Sequence, residues 1–506
     1  MQTIKTKVLI MASALILGFV TISCKDNDKI IDVIKPDLTF FALSNGNQLL
    51  KINANNSSIP TSTTLITGLL PNDLLTAIDF RPATGELYGV SSQSRIYVIN
   101  QENGTARVIG TTALTPTISG TAVGLDFNPT VDRIRLVTNT GQNLRLNPET
   151  GAVAAVDMAI NGGGASPKIE SVAYTNNTAG STATVLYDID SQTDKLYKQD
   201  PPNNGTLVEI GALGTDISMS AGFDINPAGD VALTAVMVSS KWELHQIDLM
   251  TGKSTKLGDL PAGNITGLAI PTSPVAYAID ETNNLLIFNF MNVGTPVSKT
   301  ITGLQTGETI LGIDMRPATG QLYGLGSSSR LYVLNTSSGV ATVIGTVPFA
   351  TLLSGTSFGF DFNPTVDRIR CISNTGQNLR LQPETGLIAA IDGVLNPGTP
   401  SVTASAYTNN FAGATTTVLY NIDNVTDKLS KQDPPNNGTQ VDVGALGINV
   451  EAVSGFDITS RGGVGYAALK VADKSSLYTI NLTSGAATKL VDFPTTVRAF
   501  AIGTGF

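Results

Sequence analysis

The sequence predicts an all-β protein made of two tandem β-propellers, each with five four-stranded antiparallel blades. Three observations carry this expectation. The chain repeats itself at domain length, its apolar segments are short and bounded by turn residues, and a weaker period of about 40 to 50 residues runs inside each copy. The repeat is long and specific. "IDFRPATGELYGV", "SRIYVIN" and "GLDFNPTVDRIRLVTNTGQNLRLNPETG", between Ile78 and Gly151, return as "IDMRPATGQLYGL", "SRLYVLN" and "GFDFNPTVDRIRCISNTGQNLRLQPETG", between Ile313 and Gly386. After a two-residue deletion, the segment from Tyr174 to "KQDPPNNGT" returns from Tyr407. A repeat of this length is a copied domain.

The first residues form a targeting segment. Lys5 and Lys7 precede an apolar run from Val8 to Val20, which is short for a membrane-spanning helix, and "TISC" follows, ending at Cys24. This resembles a bacterial lipobox, although Thr21 stands where leucine is usual. The resemblance implies a signal peptide over 1–23, cleavage before Cys24 and acylation of that cysteine, with 24–36 as a charged tether. The "KDNDK" stretch of the tether also resembles the surface-export signal of lipoproteins in the Bacteroidetes group. The expected partner of Cys24 is therefore a membrane, and the expected location is the outer membrane, facing the periplasm or the cell surface.

Along the rest of the chain no long segment places apolar residues at i, i+3, i+4 and i+7. Short runs of Val, Ile, Leu, Thr and Tyr lie between clusters of Gly, Pro, Asn, Asp and Ser. The 50 glycines and 24 prolines accompany a hydrophobic content of 42%, which fits dense turns rather than disorder. In residues 75–110, "LTAIDF", "ELYGV", "RIYVIN" and "TARVIG" read as four strands joined by "RPATG", "SQS" and "QENG" turns, which is one blade. Residues 122–157, 169–211 and 220–260 give three more. The fifth blade is split: three strands lie in 39–68, and the missing one is "ITGLAIP" at 265–271. The second copy repeats this phasing from "PVAYAID" to "VRAFAIG". The expected domains are 37–271 and 272–506. The alternative is one ten-bladed ring, in which "ITGLAIPTSPVAYAID" forms a hairpin within one blade.

The formal net charge is −9, and no Lys/Arg cluster exists, which argues against nucleic acid as a partner. The cysteines are Cys24 and Cys371. Cys371 occupies the place of Leu136 in the first copy and reads as a small buried hydrophobe.

"DFRPATGELYG", "GLDFNPTVDRIR", "TGQNLRLNPETG" and "KQDPPNNGTLVEIGALG" resemble the motifs of the bacterial family called domain of unknown function 4394. The resemblance covers nearly all of the chain after the tether, once per copy. It implies a propeller in a secreted or envelope protein and assigns no catalytic residue.

Chemistry must come from few residue types. The single histidine, His245, has Tyr478 as its counterpart and reads as an outer-strand residue. Histidine triads and zinc sites therefore lack members. Carboxylates remain. Asp79, Asp126 and Asp224, with Asp314, Asp361 and Asp457, stand at one place on the first strand of several blades. Lining a central channel, they could bind a cation through oxygen or act as an acid/base pair on a glycan. The plainer reading is that each caps the turn after its strand. Arg133, Arg135 and Arg145, repeated as Arg368, Arg370 and Arg380, read as an Arg–Asp network with Asp126 and Asp132 or as an anion or glycan site. Asp188, Asp190 and Asp194 are spaced closely enough to suggest calcium, or a solvated turn. No cofactor is otherwise expected. Trp242 and the repeated Tyr88, Tyr97, Tyr323 and Tyr332 give no special support to sugar binding. The expected function is a non-enzymatic binding or scaffolding module for a protein, peptide or glycan. The alternatives are a carboxylate-based hydrolase or lyase and a purely structural surface protein.

Overall fold

The computed structural model describes residues 34–506 apart from residue 165. The leader and Cys24 lie outside the described residues. From residue 35 onward the chain forms one compact unit.

Ten antiparallel sheets follow the sequence phasing. Blade two is Leu75–Phe80, Leu87–Ser91, Ile96–Ile99 and Ala106–Ile109. Blades three, four and five start at Val123–Asn128, Ile169–Tyr174 and Met219–Ile225. Blade four gains a short parallel strand, Asn161–Gly162, at its outer edge. Burial explains the strand patterns. Leu87–Ser91 is buried at every position because both faces of a blade's inner strands meet a neighbouring blade. The outermost strand of blade three, Ala152–Val156, alternates between exposed and half-buried. Apolar clusters fill the spaces between successive blades, as where Phe40, Ile52 and Leu268 meet Leu233, Trp242 and Leu244.

Two five-bladed rings result. Ile265–Ala269 pairs with Thr39–Ser44 and completes blade one from the far end of the first copy. The innermost strands of blades one to five then touch in succession, and the fifth returns to the first. Val497–Ile502 pairs with Ala276–Asp280 and closes the second ring in the same way. The ten-bladed ring is thereby excluded. "ITGLAIPTSPVAYAID" is not a hairpin: its two strands have separate partners, and the intervening residues lead from one ring to the next. Each strand exchange buries two open edges within a single copy.

Five innermost strands converge tightly on each axis. Gly222 has φ +92°, and a Cβ there would lie 2.2 Å from the Leu268 nitrogen of blade one. Near the second axis a cavity of ≈ 10 Å³ lies beside Gly312, Ser405 and Gly455. Among the described residues no helix is long and apolar enough to cross a membrane.

Candidate functional site

The innermost strand of each blade is an edge strand, so some of its amides face the axis with no strand to pair with. The residues just after the axial aspartate position are Phe80, Phe127, Tyr174, Ile225 and Ile270 in the first ring. Three carboxylates serve them. Asp79 accepts the Phe127 amide at 2.7 Å, Asp126 that of Tyr174 at 3.2 Å, and Asp224 those of Ile270 and Ile225, both at 2.6 Å. The second ring shows why three suffice for five. Asp314 accepts from Phe362 and from its own neighbour Met315, at 2.7 and 2.8 Å. Asp361 accepts from Tyr407 at 3.0 Å, and Asp457 from Ile502 at 2.7 Å and its neighbour Ile458 at 2.6 Å. Ala173, Ala269, Ala406 and Ala501 hold the aspartate place in the other blades, so the amides next in line turn to their own neighbours. In the first ring the Phe80 amide acts on Asp79 without reaching hydrogen-bond geometry.

The turn-capping expectation is corrected by this arrangement. Each aspartate reaches across to the next blade, and none serves only its local turn. All six are buried, and within each trio the ligand oxygens lie within 4.8 Å of one another. Burial raises the carboxyl pKa of Asp79 and Asp126, and repulsion among the trio adds to it. Burial likewise pushes Asp224 and Asp457 up to about 7, against the pull of their amide donors. These are clustered acids with raised pKa values, but they are sealed inside the rings.

The arginine motifs join consecutive blades. Arg135 is buried and donates to Asn143 and Asp157 of its own blade and to Asn203 of the next, each at 2.7 Å. Asn203 belongs to "KQDPPNNGT", whose Pro202 carbonyl also accepts from Asn143 at 3.0 Å. Arg145 holds Asp157 through two bonds, at 2.8 and 2.9 Å. Burial works to raise the Asp157 carboxyl, but the bonds from Arg145 and Arg135 outweigh it and hold it below the usual value. Arg370, Asn378, Asp392, Asn436 and Arg380 repeat the clamp. The acid at its centre is therefore Asp157, not Asp126 or Asp132. Asp132 pairs instead with Arg81 of the preceding blade at 2.9 Å, as Asp367 does with Arg316. Arg133 and Arg368 turn to the carbonyls of Asp132 and Asp367 and take no part in the clamp.

A family model described as Domain of unknown function (DUF4394) matches residues 48–269 and again 284–502. The chain belongs to the DUF4394 family. A comparison with curated proteins returns no match. Among solved structures the chain is similar to the extracellular domain of BT4673 from B. thetaiotaomicron, with 12% identity and a TM-score of 0.26. The match covers 89% of this chain, which spans 59% of that domain. It is also similar to the Dos1 propeller, with 10% identity over 67% of this chain and 92% of that one, at a TM-score of 0.27.

The two DUF4394 repeats meet through unlike surfaces. Tyr277 donates to the Ala83 carbonyl at 2.8 Å, Gly505 to that of Thr84 at 2.8 Å, and Gln321 to Glu149 at 3.2 Å. Gly320 has φ +65°, and a Cβ there would lie 2.9 Å from Arg81 Nη1 and 3.0 Å from Glu86 Oε2, so the rings approach here only through glycine. Beside this contact lies a cavity of ≈ 190 Å³, lined among others by Glu86 and Arg107 of the first ring and Phe411, Ser460, Arg461 and Thr504 of the second. Arg461 reaches across its rim to Glu102. Glu86 Oε2, Arg107 Nε and Thr504 Oγ1 are buried without hydrogen-bond partners. Burial raises the Glu86 carboxyl, and the guanidinium groups of Arg81 and Arg107 draw it partly back.

Sequence reasoning missed this cleft. Its one legible signal is mismatch between the copies: Glu86 faces Gln321 in the alignment, Arg107 faces Thr342, and Phe411 faces Thr178. In the 188–194 hairpin Asp190 accepts from Lys168, Gln192 and Thr193, Asp194 accepts from Ile217, and Asp188 is buried; among the described residues these three do not gather as a carboxylate cluster of the kind seen on the axes. The second copy has Asn421 at that place, donating to Gln432 and Gln440. His245 is buried in the third strand of blade five, not the outer one, and contacts Glu243 and Ser254. Trp242 and the four tyrosines are buried in blade packing.

Proposed function

We propose that this DUF4394 protein is a non-enzymatic binding module of the bacterial envelope, and that the cleft between its rings takes a short peptide with free ends. The carrying observation is the chemistry of that cleft. An acid, Glu86, and two bases, Arg107 and Arg461, line the same small cavity as Phe411. An ammonium suits Glu86, a carboxylate suits Arg107 and Arg461, and an apolar side chain suits Phe411. The volume lies below the roughly 300–1,000 Å³ of drug-sized sites, which fits a small peptide rather than a bulky ligand.

A glycan hydrolase built on the axial aspartates is disfavoured, because their oxygens accept main-chain amides inside sealed rings. On this proposal Cys24 carries the acyl anchor, and several acyl chains would hold the rings at the outer membrane. Calorimetric titration with a panel of dipeptides and short oligosaccharides tests the reading. Saturable dipeptide binding is expected, weakened at least tenfold by Glu86→Gln and by Arg107→Ala. Binding of no dipeptide, binding of oligosaccharides alone, or equal affinities in the variants would overturn it.

A further inference from the structure

We propose that each ring holds one calcium-class cation on its axis, ligated by Asp79, Asp126 and Asp224 in the first ring and by Asp314, Asp361 and Asp457 in the second. Three carboxylates from three blades converge there, all buried, with ligand oxygens within 4.8 Å of one another. Ca²⁺ accepts flexible, irregular cages of protein oxygens, whereas Mg²⁺ demands near-octahedral geometry and keeps several waters, so a buried all-protein site suits Ca²⁺ better.

The amide bonds leave ligand capacity. Asp126 Oδ2 and Asp79 Oδ1 have no hydrogen-bond partner. A further observation comes from outside the acidic cluster. Asn177 is 0% exposed, and neither polar atom of its side chain has a partner. It lies close enough to Asp224 to pull that carboxyl's pKa down, yet meets no hydrogen-bond geometry. Its counterpart in the other copy, Asn410, is also buried with its Oδ1 unpartnered. The pull on Asp224 comes from the Asn177 amide NH2, and turning that amide over would put its carbonyl oxygen beside the carboxylate, an oxygen set that hard cations take. Ionised carboxylates held this close repel one another, and a cation offsets that repulsion for all three at once, where otherwise they hold protons. The ion would pin the innermost strands of three blades to a common point in each ring.

The test uses the full chain purified in calcium-containing buffer. Elemental analysis after desalting should give two calcium ions per chain. Asp126→Asn and Asp361→Asn should each lower this to one, and the double variant to none. Asparagine keeps the oxygen that accepts the Tyr174 or Tyr407 amide, and circular dichroism checks that the variants fold. If a variant does not fold, the wild-type protein decides alone. Calcium at 100-fold over its Kd should raise the melting transition of a ring by roughly 5–10 °C relative to EGTA. Wild-type protein without bound calcium, with the same melting temperature in Ca²⁺ and EGTA, would overturn the proposal. Stabilisation by Na⁺ or Mg²⁺ but not by Ca²⁺ would overturn it equally.

Discussion

Replacing Arg135 by alanine should destabilise the first ring by about 4 kcal/mol. The guanidinium is buried, and its bonds to Asn143, Asp157 and Asn203 are all 2.7 Å long. Breaking a buried ion pair from one side costs about 3–5 kcal/mol, and each buried acceptor left unpaired about 1–3. Asp157 keeps its two bonds to Arg145, which places the ion-pair loss at the low end of its range, and the buried Asn143 acceptor adds about 1 kcal/mol, whereas Asn203 is exposed and turns to water. Arg145→Ala is the control. That side chain is 35% exposed, so its loss should cost about 1 kcal/mol or less. Urea unfolding followed by tryptophan fluorescence gives a reading specific to one ring, because Trp242 is the single tryptophan and lies in blade five. Arg135→Ala should shift the Trp242 midpoint strongly, and Arg370→Ala should leave it nearly unchanged. An Arg135→Ala midpoint no lower than that of Arg145→Ala would refute the clamp. An equal shift from Arg370→Ala would refute the separateness of the two rings.

Three further outcomes are expected. The Asp157 carboxyl is held below its unfolded value near 4, so the stability it contributes is present above that value and is lost as pH falls through the depressed one; Asp157→Asn should flatten the acid limb of the Trp242 stability profile. Burial pushes the Cys371 thiol up to about 12, so peptide mapping after iodoacetamide treatment at pH 8 should find it modified in urea and unmodified in the native protein. Gly222→Ala places a Cβ at 2.2 Å from a main-chain nitrogen at positive φ and should cost about 3 kcal/mol or more by the same fluorescence assay.

Blade boundaries were legible because turn chemistry is local. "RPATG" and "QENG" announce their hairpins without reference to the rest of the chain. Partners across blades were not, because they depend on ring closure. Asp126 and Arg135 oppose each other in the strand register, yet one side chain turns to the axis and the other to Asn203 of the next blade. Proximity in sequence therefore suggested the wrong ion pair. The same limit kept the ten-bladed alternative open beside the two-ring expectation, since "ITGLAIPTSPVAYAID" has hairpin chemistry and the distant strands at 39–44 and 497–502 decide its pairing. The twinned polar residues repay the comparison of copies in another way. Arg81, Arg135 and the axial aspartates recur because each ring needs the same staples, whereas Glu86, Arg107 and Phe411 differ because they lie where the rings meet.

The central claim, that each copy closes its own ring with its own last strand, is tested most directly by disulfide trapping. Ala42 opposes Leu268, and Ala278 opposes Phe500. Opposed residues in antiparallel strands stand about 4.5–5.5 Å apart at Cα, within disulfide range. The account predicts that Ala42→Cys/Leu268→Cys and Ala278→Cys/Phe500→Cys proteins each oxidise to an intramolecular bond. Failure of both pairs to form, with bonding instead in a Leu268→Cys/Ala278→Cys protein, would contradict it.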